Sequence, residues 1–302
     1  VNRRITAVTF GILLLVASYG RAEDYAAGYQ YDAKRPLEAV VGEGRETTYS
    51  TVYEVRYTSA NKEKVPALLW LPKGKAGPHP VVIYQHGYMG SKSVAGPRME
   101  SLLVPQGFAI FAIDAVYHGD RKKEGKDMLG VDLAADRAAF KQTVIDLRRA
   151  IDYLQSREDI AKDRIGYIGE SMGGILGGLL MGVEPRVKTA ALIVAGGDWG
   201  ELFTKSAHPA ARRLRETQGL KAEDIRKLCA DIDPVNLIGN CKGRPVLLVN
   251  GEDDTVIPKS SAERLQQAAQ EPKEVRWMKA GHLIFGPAFN ELIQNWFAQK
   301  MK

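Results

Sequence analysis

Ile165-Gly166-Tyr167-Ile168-Gly169-Glu170-Ser171-Met172-Gly173-Gly174-Ile175 passes from a short apolar run into a glycine-rich stretch that stays apolar to Met181. Residues 165–168 read as a strand covered on both faces, and residues 175–181 read as a helix. Ser171 therefore falls on the turn between them. Such a turn strains its central residue and brings the positions two before and two after together, which only small residues tolerate. Gly169 and Gly173 meet that demand. Gly174, Gly177, Gly178 and Gly182 keep one helix face thin for packing on a sheet.

The flanking sequence repeats the same rhythm. Residues 51–57 alternate as a half-exposed strand does, and 65–71 form a second strand stopped by Pro72. Runs at 81–84, 108–113, 190–194 and 246–249 are continuously apolar, as in strands buried on both faces. Helical stretches lie between them, the clearest over 133–154, where Phe140, Val144, Leu147, Ile151 and Leu154 recur at steps of three or four. The last strand is expected at 274–278 and the last helix at 287–298. The pattern predicts an α/β fold: a mostly parallel, eight-stranded sheet flanked by helices, wound by right-handed crossovers, with an antiparallel pair at its start. Residues 198–243 break the rhythm and read as short helices at 210–217 and 222–230, a small cap inserted over one end of the sheet. The basic residues there, Arg212, Arg213, Arg215, Arg226 and Lys227, read as a solvated helix face.

Composition narrows the function classes. The 302 residues are 45% hydrophobic and 26% charged, with 30 Gly and 14 Pro, which excludes a disordered or fibrous chain. The formal charge of +6 includes Arg3, Arg4 and Arg21 in residues 1–22, and without them 39 basic side chains face 36 acidic ones. Nucleic acid is therefore not an expected partner. Arg3 and Arg4 precede an apolar run at 5–17, and Gly20 and Ala22 supply small residues at a cleavage-like site, so residues 1–22 read as a secretory signal peptide. The expectation is an exported, periplasmic or secreted domain over 23–302 with no stable membrane insertion after cleavage. In an oxidising compartment Cys229 and Cys241 are expected to form a disulfide.

A serine hydroxyl needs a base to take its proton and a third group to hold that base. His282 is placed for the first task, between the last strand and the last helix. His79 and His208 lie beside prolines in expected surface loops, and His86 and His118 read as loop architecture and site lining. Gly251-Glu252-Asp253-Asp254-Thr255-Val256-Ile257-Pro258 resembles the G-x-x-D-x-x-[VI]-P loop of the α/β-hydrolase superfamily. The resemblance makes Asp254 the carboxylate that holds the histidine, with Asp253 as alternative. The chain order Ser171, Asp254, His282 is also that superfamily's order.

The oxyanion formed on attack needs donors, and one is expected from the N–H of Met172, the residue after the serine. His86-Gly87-Tyr88-Met89-Gly90 resembles the HG-type oxyanion loop of esterases, which makes the Tyr88 N–H the second donor, with Gly87 as alternative. Substrate lining is expected from Gly87, Tyr117, His118 and Trp199. Within the superfamily the chain is similar to the dienelactone-hydrolase and prolyl-oligopeptidase-like branch, by its G-E-S-M-G-G elbow and the 251–258 loop. It departs from that branch in carrying Ser171 where dienelactone hydrolases use cysteine, and it has no room for a propeller. Tyr88 with Met172 is also similar to the oxyanion pair of cutinase-like polyester hydrolases. Residues 114–121 resemble a site-lining loop of the branch, in which Asp120 and Arg121 are expected to pair. The resemblance implies a serine carboxylesterase that hydrolyses small or medium carboxylic esters, a small-molecule substrate, through an acyl-enzyme without metal or organic cofactor, with a serine aminopeptidase or acyl-peptidase on short peptides, or a cutinase-like polyester hydrolase, as alternatives. An aminopeptidase would need an anion for the free amine, Glu170 or Glu201.

Overall fold

In a computed structural model, which describes residues 22–301, the five apolar runs form the middle of one sheet. They are β4 (His79–Gln85), β5 (Ala109–Ile113), β6 (Ile160–Glu170), β7 (Val187–Ile193) and β8 (Val246–Gly251), each parallel to its neighbours among them. Their runs lack alternation because alternate side chains enter two different cores. Ile83, Phe111, Tyr167 and Leu192 face one, shared with α3 (Leu133–Gln155) and α4 (Met172–Val183). Val82, Ile110, Ile168 and Ile193 face the other, shared with α9 (Pro287–Lys300) and the one-turn α2 (Ser101–Leu103). The expected leader, residues 1–22, lies outside the described residues except for Ala22, which opens the short helix α1 (Ala22–Ala27).

The sheet has nine strands rather than eight, in the order β1-β2-β3-β5-β4-β6-β7-β8-β9. The additional strand is β1 (Val40–Glu46), whose residues are all exposed. Val-Val-Gly-Glu-Gly-Arg-Glu carries no alternation, so its pairing with β2 (Ser50–Thr58) forms it rather than burial. β2 runs antiparallel to β3 (Lys64–Pro72), and β3 antiparallel to β5, which extends the expected antiparallel pair to a larger antiparallel edge. β9 (Lys273–Met278) closes the far edge, parallel to β8. After β4 the chain moves outward to β5, then crosses back to β6 on the other side of β4. The loops that leave β4 and β6 diverge there, and that divergence opens a crevice at the carboxyl ends of the strands.

Residues 198–243 fold as α5 (Trp199–Lys205), α6 (Pro209–Gln218) and α7 (Ala222–Leu228), followed by 3-10 turns. Asp233 ties the two ends of this segment, accepting from the N–H groups of Asp198 at 3.0 Å and Trp199 at 2.9 Å. Two of its basic residues are not simply solvated. Arg215 donates to the carbonyls of Phe203 and Ser206, and Arg226 pairs with Asp198 at 2.8 Å. Helix C-termini leave carbonyls unpaired, and an arginine fork satisfies them. Cys229 and Cys241 are free thiols, not a disulfide. Both are buried in separate surroundings: Cys229 lies in the field of Arg137 and Asp233, where burial pushes its thiol up to about 12, and Cys241 lies against the Gln270 carbonyl.

Asp120 and Arg121 do not pair with each other either. Asp120 binds Lys92 at 2.7 Å, while Arg121 binds the fully buried Asp146 of α3 at 2.6 Å. Neighbouring residues on a 3-10 turn point in different directions, so each found its own partner. Gln142 Nε2 at 2.6 Å and Ser59 Oγ also donate to Asp146, which knots α3 to the β2–β3 turn. Asp146→Ala leaves the Arg121 charge buried with only the half-exposed Glu63. We expect a loss of about 3 kcal/mol in urea unfolding, and a loss below 1 kcal/mol would make this knot incidental.

Candidate active site

Every expected chemical group lies on a loop that leaves the carboxyl end of a strand. β6 ends at Glu170 and α4 begins at Met172, so Ser171 is the whole connection, at φ 55° and ψ −117°. A β-carbon on Gly169 would come within 2.2 Å of the Gly173 carbonyl oxygen, and one on Gly173 within 2.2 Å of that of Gln85. The glycines are therefore required by contact, and the strain at Ser171 is held by its N–H bond to Ile193 O at 2.8 Å.

β8 and β9 deliver the other two groups. Gly251 lets the two loops nest, because a β-carbon there would lie 2.3 Å from the Gly281 carbonyl oxygen. His282 Nε2 lies 2.8 Å from Ser171 Oγ, and His282 Nδ1 lies 2.9 Å from Asp254 Oδ2. Asp254 Oδ1 accepts from the N–H groups of Val256 at 2.8 Å and Ile257 at 2.9 Å, which fixes the carboxylate plane. Asp253 is exposed and turned out of this chain of bonds. The arrangement can move a proton from an alcohol to an imidazole whose other nitrogen is held by a carboxylate.

The loop after β4 lies against the serine, with the Gly87 position 3.4 Å, by a notional β-carbon, from Ser171 Cβ. His86 fixes this loop. Its Nε2 accepts from Ala115 N–H at 3.2 Å, so the ring proton sits on Nδ1 and is donated to Gly87 O at 2.8 Å. Gly90 N–H binds the same oxygen at 3.0 Å. Gly87 C=O and Tyr88 N–H belong to one trans peptide and point in opposite directions, so fixing the carbonyl aims the N–H away from His86. Burial, helped by the ring of His118 and the charge of Lys92 and opposed by the bond to Gly87 and the field of Asp114, brings the His86 pKa down to about 4.

A histidine that stays neutral when folded contributes stability that is fully present above about pH 6.5 and is lost as pH falls toward 4. About 3 kcal/mol of acid sensitivity is expected from this ring. The stability difference between wild type and His86→Gln, measured by urea unfolding at pH 7 and 4.5, should narrow at the lower pH; a constant difference would contradict the assignment.

Two spaces open on either side of Ser171. One is a cavity of about 40 Å³ walled by Phe140, Met172, Trp199, Leu202, Phe203 and Ile257. Trp199 and Phe203 stack at 5.2 Å, and Phe140 meets Trp199 edge-on at 5.2 Å. The other is a groove of about 370 Å³ that contains His282, Gly87, Arg98 and Glu170. Tyr88 borders both. Its hydroxyl donates to Asp127 Oδ2 at 2.5 Å, and its ring meets those of His118 at 5.8 Å and His208 at 4.9 Å.

Of the four expected lining residues, Gly87 borders the groove and Trp199 the cavity. Tyr117 lines neither space, because a positive φ of 61° turns it toward Lys122 and Lys123. His118 is buried behind Tyr88, its Nδ1 on Val116 O at 2.9 Å. Sequence reasoning missed His208, which borders both spaces from the head of α6 instead of a surface loop. Its signal was His-Pro at a helix start, where Nδ1 accepts from Ala210 N–H at 3.2 Å and leaves the proton on Nε2. Arg98 was also missed. It binds Glu170 at 2.6 Å and the Ile284 carbonyl at 3.0 Å, tying the serine turn to the histidine loop.

The sequence profile of the acetyl xylan esterase (AXE1) family matches residues 32–300. The chain belongs to that family. That family is one of carboxylic ester hydrolases of the α/β-hydrolase superfamily. YtaP of Bacillus subtilis (strain 168) is 33% identical over 139 residues, 42% of this chain and 46% of YtaP. The chain thus spans about half of that relative. "Uncharacterized peptidase YtmA" of the same organism is 27% identical over 259 residues, 83% of this chain and 93% of its own. In fold, the chain is similar to acetyl xylan esterase 1 from Thermoanaerobacterium sp. JW/SL YS485, with a TM-score of 0.78 and 21% identity over 93% of this chain and 94% of that one.

Proposed function

We propose that this AXE1-family protein is an exported serine carboxylesterase that cleaves esters of short acids through an acyl-enzyme. The observation that carries this reading is the continuous path from Asp254 through His282 to Ser171, at 2.9 and 2.8 Å. Ser171 Oγ attacks the ester carbonyl while His282 Nε2 takes its proton. The N–H groups of Met172 and Tyr88 hold the oxyanion. The tetrahedral adduct collapses, the carbonyl–alkoxy bond breaks, and His282 returns the proton to the departing alcohol. Water then repeats the attack with His282 as base, releasing the acid and restoring Ser171.

Proton return decides which space takes which half of the ester. The departing oxygen must sit beside His282, and His282 lines the groove but not the smaller cavity. The alcohol therefore lies in the groove and the acyl group in the cavity. About 40 Å³ holds roughly three or four waters, enough for an acetyl to butanoyl chain. Phe140, Trp199 and Phe203 close its far side against longer acids.

The aminopeptidase reading draws on the name of YtmA, and either carboxylate that could serve it already has a cationic partner. Glu170 is bound to Arg98, and Glu201 to Lys205 at 2.6 Å and Ser260 at 2.7 Å. The test is a panel of chromogenic esters from acetyl to octanoyl beside peptide anilides. Turnover should peak between acetyl and butanoyl and fall about tenfold or more by octanoyl, because a longer chain overpacks the cavity. Preference for anilides would overturn the reading. Export rests on residues 1–22 and is checked by the N-terminal mass of the protein recovered from the medium or periplasm. No helix of the described residues is long and apolar enough to cross a membrane.

A further inference from the structure

An ester that bridges the two spaces has its reacting atoms where they meet. Among the described residues, Tyr88, Ser171, His208 and Val256 border both the cavity and the groove. Ser171 supplies the nucleophile. Tyr88 OH is committed to Asp127, and the Val256 N–H to Asp254. That leaves the His208 ring. Its Nδ1 accepts from Ala210 N–H, so Nε2 carries the proton, and this N–H has no protein partner among the described residues. Arg98 and Glu170 border the groove alone, so they face the body of the alcohol rather than the ester group.

Two ester oxygens gain charge during the reaction. The carbonyl oxygen belongs to the N–H groups of Met172 and Tyr88, and the alkoxy oxygen must lie beside His282 to receive its proton. His208 stands on this second side. Its ring meets the Tyr88 ring edge-on at 4.9 Å, and His282 is the charged group that bears on it most, ahead of Asp127 and Arg213. Burial and His282 together push the His208 pKa below the usual histidine value, so the ring is an uncharged donor at neutral pH. A cation there would oppose the imidazolium that His282 becomes, whereas a neutral N–H does not. The alkoxy oxygen is a poor acceptor in the intact ester, because a lone pair is delocalised into the carbonyl. It becomes a good one as the adduct forms and the carbon–oxygen bond breaks, so a donor held there acts on the transition state more than on the substrate.

We infer that the Nε2–H of His208 is a second hydrogen-bond donor to the departing alkoxy oxygen, across from His282, and that it fits the enzyme to esters of weakly acidic alcohols rather than of phenols. The inference rests on the acyl-enzyme reading above, since that reading puts the ester at the border of the two spaces. The electron pair of the breaking carbonyl–alkoxy bond goes to the oxygen, the proton comes from His282 Nε2, and His208 keeps its own proton throughout. An aliphatic alkoxide holds its charge on one oxygen and needs the second donor, whereas a phenolate spreads charge into its ring and leaves without it.

The experiment measures kcat/KM of the purified chain for the acetates of para-nitrophenol, phenol, trifluoroethanol and ethanol, a series of falling alcohol acidity with one acyl group. His208→Asn keeps an oxygen for the Ala210 N–H but is too short to reach the ester, and His208→Gln carries an amide N–H out to the place of Nε2. In His208→Asn, ethyl acetate should lose about thirtyfold and para-nitrophenyl acetate less than about threefold, so the dependence on alcohol acidity steepens. His208→Gln should regain most of the loss with ethyl acetate. If His208 only held α6 or the Tyr88 ring in place, all four acetates would fall by one factor; thermal midpoints of the variants report their folding separately. A uniform loss, no loss with ethyl acetate, or a glutamine variant no better than the asparagine one would each overturn the inference. Turnover surviving in Ser171→Ala would instead overturn the acyl-enzyme reading, so the two failures are separable.

Discussion

Ser171→Ala is expected to lower kcat for acetyl ester hydrolysis by about a millionfold while the protein stays folded. Among the described residues, the hydroxyl is the group that both faces the imidazole at 2.8 Å and borders the two spaces proposed for acyl and alcohol. Without it, attack must come from water, which the residual oxyanion donors assist only by about a thousandfold to ten-thousandfold over solution. Folding should be retained because alanine keeps the β-carbon and the bond from residue 171 N–H to Ile193 O. Strain at φ 55° is the same for both residues. Single-turnover measurements should show no acyl-enzyme burst. A burst in the alanine variant would place the nucleophile elsewhere.

Asp254→Asn is expected to cost about ten-thousandfold in kcat with little change in the position of any side chain. The carboxylate is divided between two tasks. Oδ1 accepts from two main-chain N–H groups, and Oδ2 faces His282 Nδ1. Asparagine fits the first task only with its oxygen toward Val256 and Ile257, which turns its amide NH2 toward Nδ1. The imidazole must then accept on Nδ1 and carry its proton on Nε2, where it can no longer take the proton of Ser171. The loss should appear in kcat rather than KM, because the residue touches no substrate. If the asparagine variant lost activity through KM alone, Asp254 would be a binding residue and the proton path would need another carboxylate. None is evident in that position, since Asp253 is exposed.

Much of this was present in the linear chain, and the reason differs by element. The Gly169 to Gly174 turn was legible because its demands are local: the positions two before and two after Ser171, four apart in sequence, must touch, and glycine allows it. The five central strands were legible because burial on both faces writes a continuous apolar run into a few consecutive residues. β1 was not, because an exposed edge strand is made by hydrogen bonds to β2 and leaves no mark in its own side chains. His208 was missed for a related reason. Its place is set by the return of α6 over Ser171, and nothing within a few residues of it records that return.

By itself, then, the sequence singled out the residues proposed to carry the chemistry and the strands expected to deliver them, from local pattern at Ser171 and His282 and from resemblance at Asp254. Only the tertiary structure decided how those groups are aimed. It aimed the Tyr88 N–H through His86, turned Tyr117 away, gave Asp120 and Arg121 different partners, kept Cys229 and Cys241 apart, and placed His282 on the groove side of Ser171. Each of these depends on atoms brought together from segments distant in the chain, where a bond of about 3 Å is settled by how two layers pack and not by any pattern in one of them.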